Sequence, residues 1–212
     1  MDQQQEQLDS IKAIRSMMEQ SSRFLSLSGL SGVIVGLIAI AGVFIAYSFL
    51  GMQIDQPGYY TKILSADGNL NLEVFTFLMT ELLVLLFIAL VTAIFLSMRK
   101  ASSKGVPIWD ATAKRLVINM VVPLMSGAMF CVILLYHGYV NLIIPSTILF
   151  YGLAIYNASK YTLHDIRSLG IIEILLGLAA SYFVDYALLF WGFGFGVLHI
   201  VYGLYIYFKY EK

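Results

Sequence analysis

Across residues 24–50 the chain carries no charged side chain, and that property decides which solvent it can fold in. A helix rises about 1.5 Å per residue, so a block of about 20 apolar residues matches a hydrocarbon layer roughly 30 Å thick. Blocks of this kind recur at about 24–50, 74–98, 116–136, 139–157, 169–187 and 189–208. Strands of a membrane barrel are about 10 residues long and alternate in polarity, whereas these blocks are long and apolar throughout. The sequence therefore predicts an all-α polytopic membrane protein with six transmembrane helices. Composition agrees: 59% of the 212 residues are hydrophobic and 12% charged, against about 45–50% and about 25% in soluble domains.

Six spans sort the basic residues sharply. Lys12, Arg15, Arg23, Arg99, Lys100, Lys104, Lys114, Arg115, Lys160, Arg167, Lys209 and Lys212 fall on one side, and Lys62 alone on the other. Basic loops stay cytoplasmic, so both termini are expected inside. The first block exceeds the 7–15-residue core typical of a cleaved signal peptide and reads as a retained span. Ahead of it, Leu8, Ile11, Ile14, Met18 and Leu25 recur at roughly a helical period. Residues 1–23 are thus expected to form an amphipathic helix, lying on the inner membrane surface or docking on a second copy or a partner protein. Residues 24–212 then form the transmembrane domain. A net charge of zero offers no basic stripe for nucleic acid.

The run "IRSMMEQSSRFLSLSGLSGVIVG", residues 14–36, resembles the start of small multi-span bacterial membrane proteins of unassigned function. The resemblance implies a bacterial inner (plasma) membrane and brings no active-site residues with it.

Glycine is a poor helix former in water, yet the first block holds several. At about 100° per residue, Ser28, Gly32, Gly36, Ala39, Gly42 and Ala46 fall on one side of that helix. Lipid gives apolar helices no solvent-driven reason to associate, so close backbone approach has to supply it, and stripes of small residues permit that approach. In the last block Gly192, Gly196 and Gly203 share a side with His199, while Gly194 lies near the opposite side with Tyr205. That helix is expected to be sandwiched between neighbours, with His199 facing protein.

Ionisable groups cost at least ~2.5–3.5 kcal/mol near mid-span and point to function by default. Glu81 and His199 are the deepest candidates on the outer half, with Asp185 above them at the mouth; together they are the expected ligand-binding group. Glu173 lies near the inner end, level with Asn119 and near Arg115, Asn157, Lys160 and Arg167, and reads as a structural anchor. Pro123 and Pro145 fall within the third and fourth blocks, where each would remove a backbone donor and free a carbonyl. Asn119, Ser126, Asn141, Ser146 and Thr147 stand near enough to re-satisfy the backbone. The outer link at residues 51–73 carries the turn signals Pro57-Gly58 and Asp67-Gly68, and its Ile63, Leu64, Leu70 and Leu72 suit a cap on the bundle mouth.

Much chemistry is set aside. Cys131 alone permits neither an internal disulfide nor a thiolate cluster. His137, His164 and His199 stand apart without a zinc spacing or facing haem ligands, and neither a metal nor a cofactor is expected. No nucleophile elbow, P-loop or selectivity filter occurs, so no catalytic residue is named. The first functional expectation is an integral membrane protein that binds or transports a small or lipidic ligand in the outer half of the bundle. A non-catalytic scaffold or regulatory subunit, working through the N-terminal helix and the basic cytoplasmic loops, is the alternative. An intramembrane enzyme using Glu81 or His199 comes last.

Overall fold

The computed structural model describes residues 27–54, 56–65, 67–105 and 109–212; the expected amphipathic helix of residues 1–23 lies outside them. The described residues are helical throughout, apart from connections and one isolated bridge between Leu64 and Leu70. The long helices are α1 (Gly29–Phe49), α2 (Leu72–Ser103), α3 (Ala111–Tyr136), α4 (Ile143–Ala158) and α5 (Ile166–Tyr182). A final rod, α6, joins Ala187–Trp191, a wide π-type stretch Gly192–Leu198, and His199–Tyr210. Among the described residues five stretches are long and apolar enough to cross a membrane: Gly29–Phe49, Leu72–Ser103, Ala111–Tyr136, Val140–Tyr161 and Val184–Tyr210. Their outward faces are greasy, with Phe44 72%, Phe87 68% and Met125 64% exposed, a surface that suits lipid and not water.

Side-chain caps set two helix starts. Asn71 Oδ1 accepts from the Val74 amide (3.3 Å) and Asp110 Oδ1 from the Ala113 amide (2.6 Å), satisfying donors that have no partner within the helix. The α3–α4 turn closes through Gly138, whose φ of +78° favours glycine.

Three expected boundaries move. The break between the fifth and sixth blocks falls at Val184–Tyr186, a single 3₁₀ turn, and not at 187–189. Phe183 and Val184 keep the run apolar across the turn, so hydropathy is blind to it. α2 continues past its apolar block through Arg99 and Lys100, because both are good helix formers and the helix has no reason to stop where the lipid does. Pro145 lies in the first turn of α4, where proline is well tolerated, and so does not break a span.

Two helix pairs form the frame. α1 and α6 meet backbone to backbone: a Cβ on Gly203 would lie 2.6 Å from the Val33 amide nitrogen, and one on Gly36 2.6 Å from the Gly196 carbonyl oxygen. α4 and α5 do the same, with Cβ atoms on Gly152, Gly170 and Gly177 each 2.6 Å from a backbone nitrogen of the other helix. Gly32 also faces Gly203, whereas Gly42 turns to Leu85 of α2 and Gly192 to Val43. Ser28 sits at the start of α1, where its carbonyl accepts from the Ser31 hydroxyl.

One end of the bundle is tied by charge. The Gly29 amide donates to Glu211 Oε1, and Lys100 Nζ bonds the same carboxylate (3.0 Å) and the Leu27 carbonyl. An acidic group at a helix N-terminus meets both free amides and the positive end of the helix dipole, so the last residues of the chain hold the start of α1. At that same end Asp165 accepts from Lys209 (2.9 Å), Tyr210 (2.7 Å) and Tyr205 (3.4 Å), fixing the start of α5 to the end of α6. Partial burial alone would raise the Asp165 carboxyl, but these donors outweigh it and hold it below its ordinary value.

Gly203→Ala and Gly177→Ala are each expected to destabilise the folded protein by about 1–3 kcal/mol, the usual cost of overpacking, read as thermal unfolding in detergent. Ala41→Leu, on the outward face of α1, should leave the midpoint unchanged. Because the Asp165 carboxyl is lowered in the fold, the stability it confers is present above the ordinary carboxylate range near pH 3.9 and is lost as pH falls through the lowered value. Asp165→Asn should therefore flatten the acid limb of a stability-against-pH curve below about pH 4.

Candidate functional site

Glu173 lies on α5 midway between Gly170 and Gly177, so the face that lets α4 approach also carries a carboxyl into the frame. It is fully buried. Gly194, across on α6, leaves the space: a Cβ there would stand 2.6 Å from Glu173 Oε2. The wide turn at Gly192–Leu198 then delivers His199, whose Nδ1 lies 2.9 Å from the Gly194 carbonyl and 3.8 Å from Glu173 Oε1. A carbonyl can only accept, so Nδ1 carries the hydrogen; in the neutral tautomer that leaves Nε2 to accept from the Tyr151 hydroxyl of α4. Phe195 stacks on the imidazole with centroids 5.8 Å apart. Neither Glu173 oxygen has a hydrogen-bond partner. Three helices thus converge on one polar cluster in an apolar interior, where such groups are costly and geometry has to hold them.

The Glu81 position is different in kind. At the opposite end of the bundle from Glu211, a cavity of about 130 Å³ opens between α1, α2, α4 and α6. Val43, Leu50, Phe75, Leu82, Ile144 and Trp191 form much of its wall, and Glu81 is the one carboxylate among the residues lining it. Glu81 Oε1 is shielded from solvent and unpartnered. Volumes near 150 Å³ with apolar walls hold a benzene-sized molecule, so the space matches a small ring or a short run of alkyl chain.

The connection between α1 and α2 roofs this cavity. Tyr59, 1% exposed, donates its hydroxyl to the Asn141 carbonyl (3.3 Å), and Ile63 packs beneath. The Asn141 carbonyl is the one left without an amide four residues on by Pro145, so the roof fills a vacancy the proline creates. Asp185 clamps the other edge: it accepts from the Tyr60 hydroxyl (3.0 Å), and its own carbonyl accepts from the Gly58 amide (3.0 Å). The bond to the Asp185 carboxylate holds the Tyr60 phenol above its usual value. The same logic recurs on α3, where Pro123 frees the Asn119 carbonyl and Asn157 of α4 donates to it (2.9 Å). Ser126, Ser146 and Thr147 instead turn back onto their own helices.

The expected group of Glu81, His199 and Asp185 is therefore distributed over three places. Glu81 lines the cavity, Asp185 fastens its roof, and His199 belongs with Glu173 and Tyr151. Glu173 and Asn119, expected together as an anchor, also part company: Asn119 pairs with Asn157. α5 begins at Ile166, three residues ahead of its apolar block, which carries Glu173 deeper and level with His199. Tyr151 has no sequence signal of its own; for Glu173 the flanking Gly170 and Gly177 mark a face turned toward protein. Comparison with protein-family models, curated proteins and solved structures finds no match to the chain.

Tyr151→Phe leaves the buried His199 Nε2 without its donor and is expected to cost about 1–3 kcal/mol of stability. His199→Phe keeps the stack on Phe195, and the double variant should be less destabilised than the sum of the two, with a coupling of about 0.5–3 kcal/mol measured by thermal unfolding.

Proposed function

We propose that the chain crosses a bacterial inner membrane six times, with both termini cytoplasmic, and binds a small apolar or lipidic molecule in the outer cavity, Glu81 supplying its one polar contact. Support for six crossings comes from α5: its 17 residues reach about 26 Å at ~1.5 Å per residue, short of the full layer but flanked by wet turns. Support for the orientation comes from charge, since Lys100, Lys160, Arg167 and Lys209 gather at the Glu211 end while Lys62 lies on the roof of the cavity.

The observation that carries the ligand reading is the unpartnered Glu81 oxygen in the wall of an apolar space. A buried acceptor without a donor is uncommon and costs about 1–3 kcal/mol; a ligand with an apolar body and a hydroxyl or amine would remove that cost. The roof argues for a molecule that enters sideways from lipid in preference to one that drops in from water. His199, enclosed by its own partners, acts as part of the frame that keeps the cavity open.

Mass spectrometry of organic extracts from the purified protein should recover a stoichiometric apolar compound with one donor group. Glu81→Gln is expected to lower its occupancy about tenfold or more, as a charged hydrogen bond of about 1.5–3 kcal/mol implies, and Leu82→Trp should abolish it by filling the space. Equal recovery from all three proteins would refute the cavity as the site. Cysteine labelling of both termini from the periplasmic side alone would refute the orientation.

A further inference from the structure

We infer that the opposite end of the bundle holds a second site, for a phosphate ester or phosphate anion, in the pocket where α4 ends and α5 begins. The pocket has a volume of about 240 Å³ and is lined by Tyr156, Ser159, Lys160, His164 and Arg167. At about 30 Å³ per molecule in the liquid, that is space for several waters, or for one phosphate with part of its substituent.

The donors are arranged, not merely near. Arg167 donates to the Tyr156 hydroxyl (3.1 Å) and rides over the Tyr156 ring, 5.3 Å from its centroid. That contact holds the guanidinium plane and leaves its remaining N–H groups for a two-point grip on an oxyanion. Having accepted from Arg167, the Tyr156 hydroxyl keeps its own hydrogen to give. Lys160 spends one donor on Asn157 Oδ1 (3.1 Å) and retains two. Ser159 gives its hydrogen to the Tyr156 carbonyl (2.6 Å) and so shapes the pocket without serving it. His164 adds a ring N–H.

Among the described residues nothing acidic competes. Among the described residues neither Lys160 nor Arg167 pairs with a carboxylate, and no carboxylate lines the pocket. Asp165, next in sequence to His164, is fully engaged by Lys209, Tyr210 and Tyr205 of α6. Lys100 and Lys209, also at this end, have acidic partners; among the described residues Lys160 and Arg167 have none. Basic pockets between helices at this depth suit lipid phosphates, and the same donors would take a free phosphate.

The full chain, purified in a neutral detergent, tests this in two arms. Native mass spectrometry compares retention of phosphatidylglycerol with phosphatidylcholine; thermal unfolding compares sodium phosphate with sodium chloride at equal ionic strength. Preferential phosphatidylglycerol retention identifies a lipid headgroup, and stabilisation by phosphate identifies a soluble source. In whichever arm responds, the Lys160→Gln, Arg167→Gln double variant should lose tenfold or more of the effect, whereas Lys104→Gln with Lys114→Gln, equal in charge lost, should stay within twofold. Arg167→Lys, which keeps the charge and loses the fork, covers a double variant that fails to fold and should weaken binding several-fold. No response of the wild type in either arm, an unchanged pocket variant, or an equal loss in the control pair would overturn the site.

Discussion

Backbone contact between helices is the constraint on which the rest of this protein rests. In lipid, burying a leucine against another leucine gains nothing over burying it against an acyl chain, so helices have to win by packing closer than lipid can. Here α1 meets α6 and α4 meets α5 with glycines at the crossing points, near enough that a single methyl group would strike backbone. The glycine content that looks like a defect for one helix is the condition for two. Because α6 also packs on α5 through the Gly194 side, the two pairs lock into one frame, and the more loosely held α2 and α3 are laid against it.

Close approach creates a second problem, since every polar atom inside must find a partner without water. The two prolines illustrate how that is solved. Pro123 and Pro145 each deprive a carbonyl of its helical amide, and each carbonyl takes a side chain from another element, Asn157 in one case and Tyr59 in the other. A local fault in one helix becomes a tie between two elements. The Tyr151–His199–Gly194 chain follows the same pattern across α4 and α6. Glu173 departs from it: fully enclosed, beside His199 yet beyond hydrogen-bond distance, it keeps both oxygens unmatched among the described residues.

The ends of the bundle differ in chemistry because they face different needs. The end beneath residues 51–71 encloses an apolar space, roofed by Tyr59 and fastened by Asp185 to Tyr60. The end near Glu211 is stitched by ion pairs and leaves a basic pocket open. An apolar cavity lined by one carboxylate and a pocket lined by two cations thus stand at opposite ends of one frame.

The chain's hydropathy by itself determined that it is helical, that lipid is its solvent, and roughly where the helices run, because those properties are local and sum along the sequence. The small-residue stripes likewise marked which faces of α1 and α6 turn to protein. Partners were another matter. Helix ends depend on turn geometry that hydropathy cannot register, and a shift of three residues was enough to bring Glu173 to His199 instead of Asn119. Glu81, His199 and Asp185 share an outer half in sequence, but azimuth separates them: rotation of each helix about its axis is fixed by which glycines meet which backbone, a relation between distant segments. Only the tertiary structure could therefore decide that Glu81 faces an apolar cavity, that Asp185 holds its roof, and that Lys160 and Arg167 line one pocket.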